Sequence, residues 1–106
     1  MGTFDEREKG FEAKFKHEQE TAFKISARRN KLLGLWAAKQ LGLSAAAAED
    51  YAKSVVMADM QRPGDDDVLE KVLADFTAKG VAMTAHRIRA EMDALLAEAR
   101  KQIAGK

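Results

Sequence analysis

Leu32-Leu33-Gly34-Leu35-Trp36-Ala37-Ala38-Lys39-Gln40-Leu41-Gly42-Leu43-Ser44 is the stretch on which the reading of the fold turns. Its large apolar residues recur at helical spacing until Gly42-Leu43-Ser44 breaks the pattern. Ser44 suits the N-cap of a second helix, because its hydroxyl accepts one of the backbone N–H groups that a first turn leaves unpaired. Upstream, at about 100° per residue, Phe4, Phe11, Phe15, Ala22, Ile25, Leu32, Leu33 and Trp36 fall within one broad stripe. Downstream, Arg62-Pro63-Gly64 breaks the chain again, and Asp65, Asp66 or Asp67 is expected to cap a third helix at its electropositive end. Gly80 is placed to end that helix in the left-handed conformation, and Thr84 to cap a fourth. Helices are expected over about 20–41, 45–61, 66–79 and 85–103.

The later helices are amphipathic. The third places Val68, Leu69, Val72 and Phe76 on one side, and the fourth Ile88, Met92, Leu95, Leu96, Ala99 and Ile103. The second offers Tyr51, Val55, Val56 and Met60 over a broader arc. Such stripes must be buried, and short connections favour antiparallel neighbours. The expected fold is all-α, a four-helix bundle with a long first helix.

That first helix is too long for its bundle. From Asp5 to Leu41 it would span roughly 55 Å at 1.5 Å per residue, against about 22–30 Å for the others. The half from Lys24 to Leu41 is rich in large apolar residues; residues 1–19 hold three phenylalanines among charged side chains, with Gly10 weakening the helix by about 1 kcal/mol relative to alanine. Residues 1–19 are therefore expected to be a mobile segment projecting from a bundle of residues 20–106. An aromatic stripe at helical spacing is ordinarily core. Here the bundle offers it no partner, and a segment that keeps helical spacing without a core is suited to folding on another protein.

Composition narrows the function. The 106 residues are 46% hydrophobic and 33% charged, with a formal charge of +1, and the signs are interleaved. A nucleic-acid binder relies on a positive excess to displace phosphate counterions, so nucleic acid is not an expected partner. With no cysteine, there is neither a disulfide framework nor thiolate chemistry, consistent with a reducing compartment. Apolar runs such as Ala45–Ala48 are far too short to span a bilayer. A membrane-surface role for the phenylalanine stripe is weakened by Asp5, Glu6, Glu8, Glu12, Glu18 and Glu20, which nearly cancel the neighbouring lysines. We expect a cytoplasmic protein.

Catalytic and metal signals are weak. Asp65-Asp66-Asp67 lacks the glycine and distant glutamate of a calcium loop, and capping explains it more simply. His17 and His86 lie far apart, and His17-Glu18 lacks the second histidine of a zinc helix. Ser26, Ser44 and Ser54 have no glycine elbow. No metal, no required cofactor and no enzymatic activity are expected. Arg28-Arg29-Asn30-Lys31 is a local basic cluster whose plainest reading is a solvated face. Guanidinium groups also suit phosphates, so Arg28, Arg29 and Lys31, with Arg87 and Arg89 on the fourth helix, are candidates for holding ADP or ATP as a regulatory ligand.

Three blocks carry a resemblance: Thr3-Phe4-Asp5-Glu6-Arg7-Glu8, Phe11-Glu12-Ala13-Lys14-Phe15, and Ala27-Arg28-Arg29-Asn30-Lys31-Leu32-Leu33-Gly34-Leu35-Trp36-Ala37-Ala38. Together with the Leu41-Gly42-Leu43 turn and the amphipathic last helix, they resemble the ζ subunits, small inhibitors of the alpha-proteobacterial ATP synthase. The resemblance implies a four-helix bundle with a mobile N-terminal inhibitory segment. That segment enters a catalytic αβ interface of the synthase head as a helix, reaches the γ stalk and blocks the rotation that accompanies ATP hydrolysis. It further implies Phe4, Phe11 and Phe15 as apolar anchors, with Arg7, Lys9 and Lys14 supplying charge. The free protein is then expected to be a monomer, and the bound one to sit at the inner face of the membrane. The alternative is an ADP- or ATP-binding helical regulator without strong inhibitory activity.

Overall fold

The computed structural model describes the backbone of residues 2–105 and the side chains of residues 18–105. Four helices follow one another: α1 Gly2–Gln40, α2 Ala45–Gln61, α3 Asp65–Ala78 and α4 Ala85–Ala104. There is no strand among the described residues. The molecule measures 65 × 25 × 22 Å. At 1.5 Å per residue α1 is about 58 Å long, so this one helix accounts for the long axis.

Local chemistry sets the helix ends. After α1, Leu43 N–H donates to the Ala38 carbonyl at 3.0 Å and Gly42 N–H to that of Lys39 at 3.1 Å. After α3, Val81 N–H donates to Phe76 at 2.9 Å and Gly80 N–H to Thr77 at 3.1 Å. Both are Schellman closures, in which the residue past the cap turns left-handed, and Gly42 (φ +74°) and Gly80 (φ +72°) do so without a Cβ clash. At the N-termini, Ser44 Oγ accepts from Ala47 N–H at 3.4 Å, and Thr84 Oγ1 from Arg87 N–H at 3.1 Å.

The expected aspartate cap of α3 is corrected. Gly64 holds the N-cap position with no side-chain hydrogen bond, and Asp65, Asp66 and Asp67 form the first turn. There their charge still favours the helix dipole, but Asp65 and Asp66 are drawn away by arginines from α1 and α4.

The core joins Leu33 and Ala37 of α1 to Val55 of α2, Val68, Leu69, Val72 and Phe76 of α3, and Ile88 and Met92 of α4. Trp36 packs edge-on against Phe76, with ring centroids 6.0 Å apart and planes at 72°. Burying a side chain such as Phe76 or Leu33 contributes about 1.5–3 kcal/mol. Helix α2 departs from the expected arc: Ala52 is buried, Val56 half-buried and Met60 exposed. The inner face of α2 runs through Ala52, Val55 and Asp59, and Met60 lies roughly 110° from its centre. Helices α1 and α2 approach so closely that a Cβ on Gly34 would lie 2.5 Å from the Cα of Ala52.

Candidate functional site

The side chains of Phe4, Arg7, Lys9, Phe11, Lys14 and Phe15 lie outside the described residues. What is described is the boundary behind them. Glu18–Glu20 and 22–24 are exposed, 25–28 are half-buried, and among the described residues the first buried side chain is that of Arg29. From there Asn30, Leu33, Gly34, Ala37 and Ala38 complete the buried face. The bundle thus grips α1 along its C-terminal part.

The grip includes a polar device where the basic cluster alone suggests a solvated face. Three consecutive residues of α1 reach the three other helices in turn. Arg28 Nη1 donates to Gln102 Oε1 of α4 at 3.1 Å, Arg29 Nη2 to Asp65 Oδ1 of α3 at 2.8 Å, and Asn30 Nδ2 to Asp59 Oδ2 of α2 at 3.0 Å. Arg29 Nε also donates to Asn30 Oδ1 at 2.8 Å, and Asp59 Oδ1 accepts from Gly64 N–H at 3.3 Å. Arg29 and Asn30 are buried, so this part of the basic cluster is interior rather than a solvated face. Burying a guanidinium is costly unless it is paired and hydrogen-bonded, which it is. No buried side-chain polar atom is left without a partner among the described residues. The hydrogen bond from Arg29 holds the Asp65 carboxyl below its ordinary range, aided by the charges of Arg29 and Arg89 and opposed by partial burial.

The signal for this network was present in the sequence. Arg29 lies eighteen residues, about five helical turns, after Phe11, and so sits at the centre of the apolar stripe.

The five nucleotide candidates do not converge on one cleft. Arg29 and Arg89 reach adjacent aspartates, Asp65 and Asp66, the latter pair at 2.6 Å. Arg28 and Lys31 share a cavity on the α1 flank. Arg87 lines a different cavity with Gln40 and Met83. Among the described residues no group of three or more His, Cys, Asp or Glu side chains is placed to hold a metal ion. Nor is any helix among them long and apolar enough to cross a membrane.

Side chains that elsewhere would serve chemistry here tie the helices together, and the fold is that of a small all-α protein built as a four-helix bundle. The chain belongs to the ATPase inhibitor subunit zeta family, whose family model matches residues 1–102. Membership makes it a non-catalytic inhibitor subunit that associates with ATP synthase. A protein whose structure was solved in solution by NMR is 43% identical to it, with a TM-score of 0.69 over 78% of this chain and 94% of that one. No curated protein matches the chain.

Proposed function

We propose that the protein blocks rotary ATP hydrolysis by inserting residues 1–19 as a helix at a catalytic αβ interface of ATP synthase, up to the γ subunit, while residues 20–106 form the bundle that carries them. The observation behind this reading is a mismatch of lengths: α1 has 39 residues against 17 in α2. Its described buried side chains all fall between Arg29 and Ala38. Phe4, Phe11 and Phe15 are the anchors, and Arg7, Lys9 and Lys14 supply charge. Ordering the segment costs entropy, and burying each ring offsets it by about 1.5–3 kcal/mol. The free protein is a monomer in the cytoplasm and reaches the inner face of the membrane through its partner.

The test is ATP hydrolysis by the purified synthase head, with the full-length chain and with a chain beginning at Glu20. Inhibition by the full-length chain alone is expected. Equal inhibition by both would overturn insertion.

A further inference from the structure

Two cavities, of about 310 and 320 Å³, open on one flank of the bundle, and Lys31 and Val56 line both, so they form one groove. Its floor is apolar: Phe23 and Ala27 from α1, Ala52, Val56 and Met57 from α2, and Ile103 from α4. Phe23 is 58% exposed and Met57 53%, large apolar side chains that the bundle leaves in water. The rim is basic. Lys24, Lys31 and Lys53 are exposed and make no ion pair among the described residues, and Glu49 is the one acidic group lining the groove.

We infer that this groove is a second docking surface for the synthase head, and that its occupant is an amphipathic helix with an apolar ridge flanked by acidic residues. The inference rests on the insertion reading, because Phe23 follows residue 19 by only about 6 Å along the same helix. A partner that holds residues 1–19 brings its own surface beside Phe23. A floor of Phe, Met, Val and Ala between two helices takes a third helix by its apolar face. Three unpaired lysines against one glutamate select an acidic occupant and set up like-charge repulsion against a second copy of this chain. Segment and groove, carried on one helix, then bind as two linked contacts, each raising the effective concentration of the other.

Full-length wild type, Met57→Glu, and Lys31→Glu/Lys53→Glu are compared for binding to purified synthase head at 50 and 200 mM salt, with melting curves and sedimentation of each chain alone. Met57→Glu is expected to bind at least tenfold more weakly with an unchanged melting midpoint. The double lysine variant is expected to bind more weakly at low salt, with a flatter salt dependence than wild type. Wild-type affinity in both variants would overturn the groove, as would a wild-type dimer that Met57→Glu dissociates. Failure of insertion is read separately, in the hydrolysis assay of the chain beginning at Glu20. Groove variants that bind normally while that truncated chain fails to inhibit would remove the groove and leave insertion standing.

Discussion

Arg29 and Asp65 form an asymmetric ion pair: 2.8 Å apart, with the arginine side chain 4% exposed and the aspartate 58%. The buried partner depends on the exposed one, so the pair links the folding of α1 and α3 to pH. The Asp65 carboxyl is held below its ordinary value of 3.8 in the folded chain, chiefly by the Arg29 hydrogen bond. A depressed carboxylate contributes stability above its unfolded pKa, and loses it as pH falls through the folded value. Asp65→Ala is expected to destabilise the bundle by about 1–2 kcal/mol at pH 7, from charged hydrogen bonds discounted for solvent screening. Urea unfolding of both proteins from pH 7 down to pH ~2.5 should show a constant gap near neutrality that narrows progressively as pH falls through the ordinary carboxylate value of 3.8 towards the lower folded value.

Gly34→Ala tests the close approach of α1 and α2. The added methyl would lie 2.5 Å from backbone Cα and 3.0 Å from Cβ of Ala52. Since backbone cannot rotate away, the helices must separate. The overpacking cost of about 1–3 kcal/mol exceeds the gain of about 1 kcal/mol from helix propensity. A melting midpoint at or above that of wild type would contradict this contact.

Phe11→Ala and Trp36→Ala should separate inhibition from stability. Trp36 is the only tryptophan and packs on the buried Phe76. Its loss is expected to cost about 3 kcal/mol, with inhibition retained below the melting temperature. Phe11→Ala is expected to raise the concentration for half-inhibition about tenfold or more, on the estimate of 1.5–3 kcal/mol per buried ring, with an unchanged melt. Hydrolysis assays and calorimetry on the two variants measure both halves.

Tyr51 is the only tyrosine, so its ionisation can be followed directly by the ultraviolet absorbance of its phenolate. Burial, then the hydrogen bond to Asp75 at 2.8 Å, push its phenol well above the ordinary 10.0. Lys71 sits 5.4 Å over the ring and pairs with Asp75 at 3.0 Å, which keeps that carboxylate in place. A raised phenol stabilises the fold fully below pH 10.0 and progressively less as pH climbs towards its folded value. Absorbance is expected to rise only together with unfolding. A titration complete near pH 10 in the folded protein would contradict the Asp75 hydrogen bond.

Helix boundaries were the most legible part of the fold. Ser44, Thr84, Gly42 and Gly80 act within a few residues of themselves, so their roles can be read locally. The aspartate triplet is illegible for the opposite reason. Three equivalent caps stood in a row, and what decided among their roles was Arg29, thirty-six residues upstream of Asp65, and Arg89, twenty-three downstream of Asp66. Met60 reads as inward-facing because a broad apolar arc does not reveal its centre; Asp59 does, once Asn30 is known to meet it. Charge hid the burial of Arg29, although its position on the stripe pointed inward. The groove was not legible at all, since Phe23 and Ile103 lie on helices brought together only by tertiary packing.

The row Asn30, Gly34, Ala37 and Ala38 has a consequence for how such a protein changes over time. A side chain added at Gly34 meets the backbone of Ala52, Asn30 is a satisfied buried amide, and Ala37 and Ala38 are fully buried, so selection there acts on whether the chain folds. Residues before Glu20, on the proposed reading, are judged only on how well they suit a partner. On that reading one helix carries two independent evolutionary clocks, and potency can drift while the bundle stays the same.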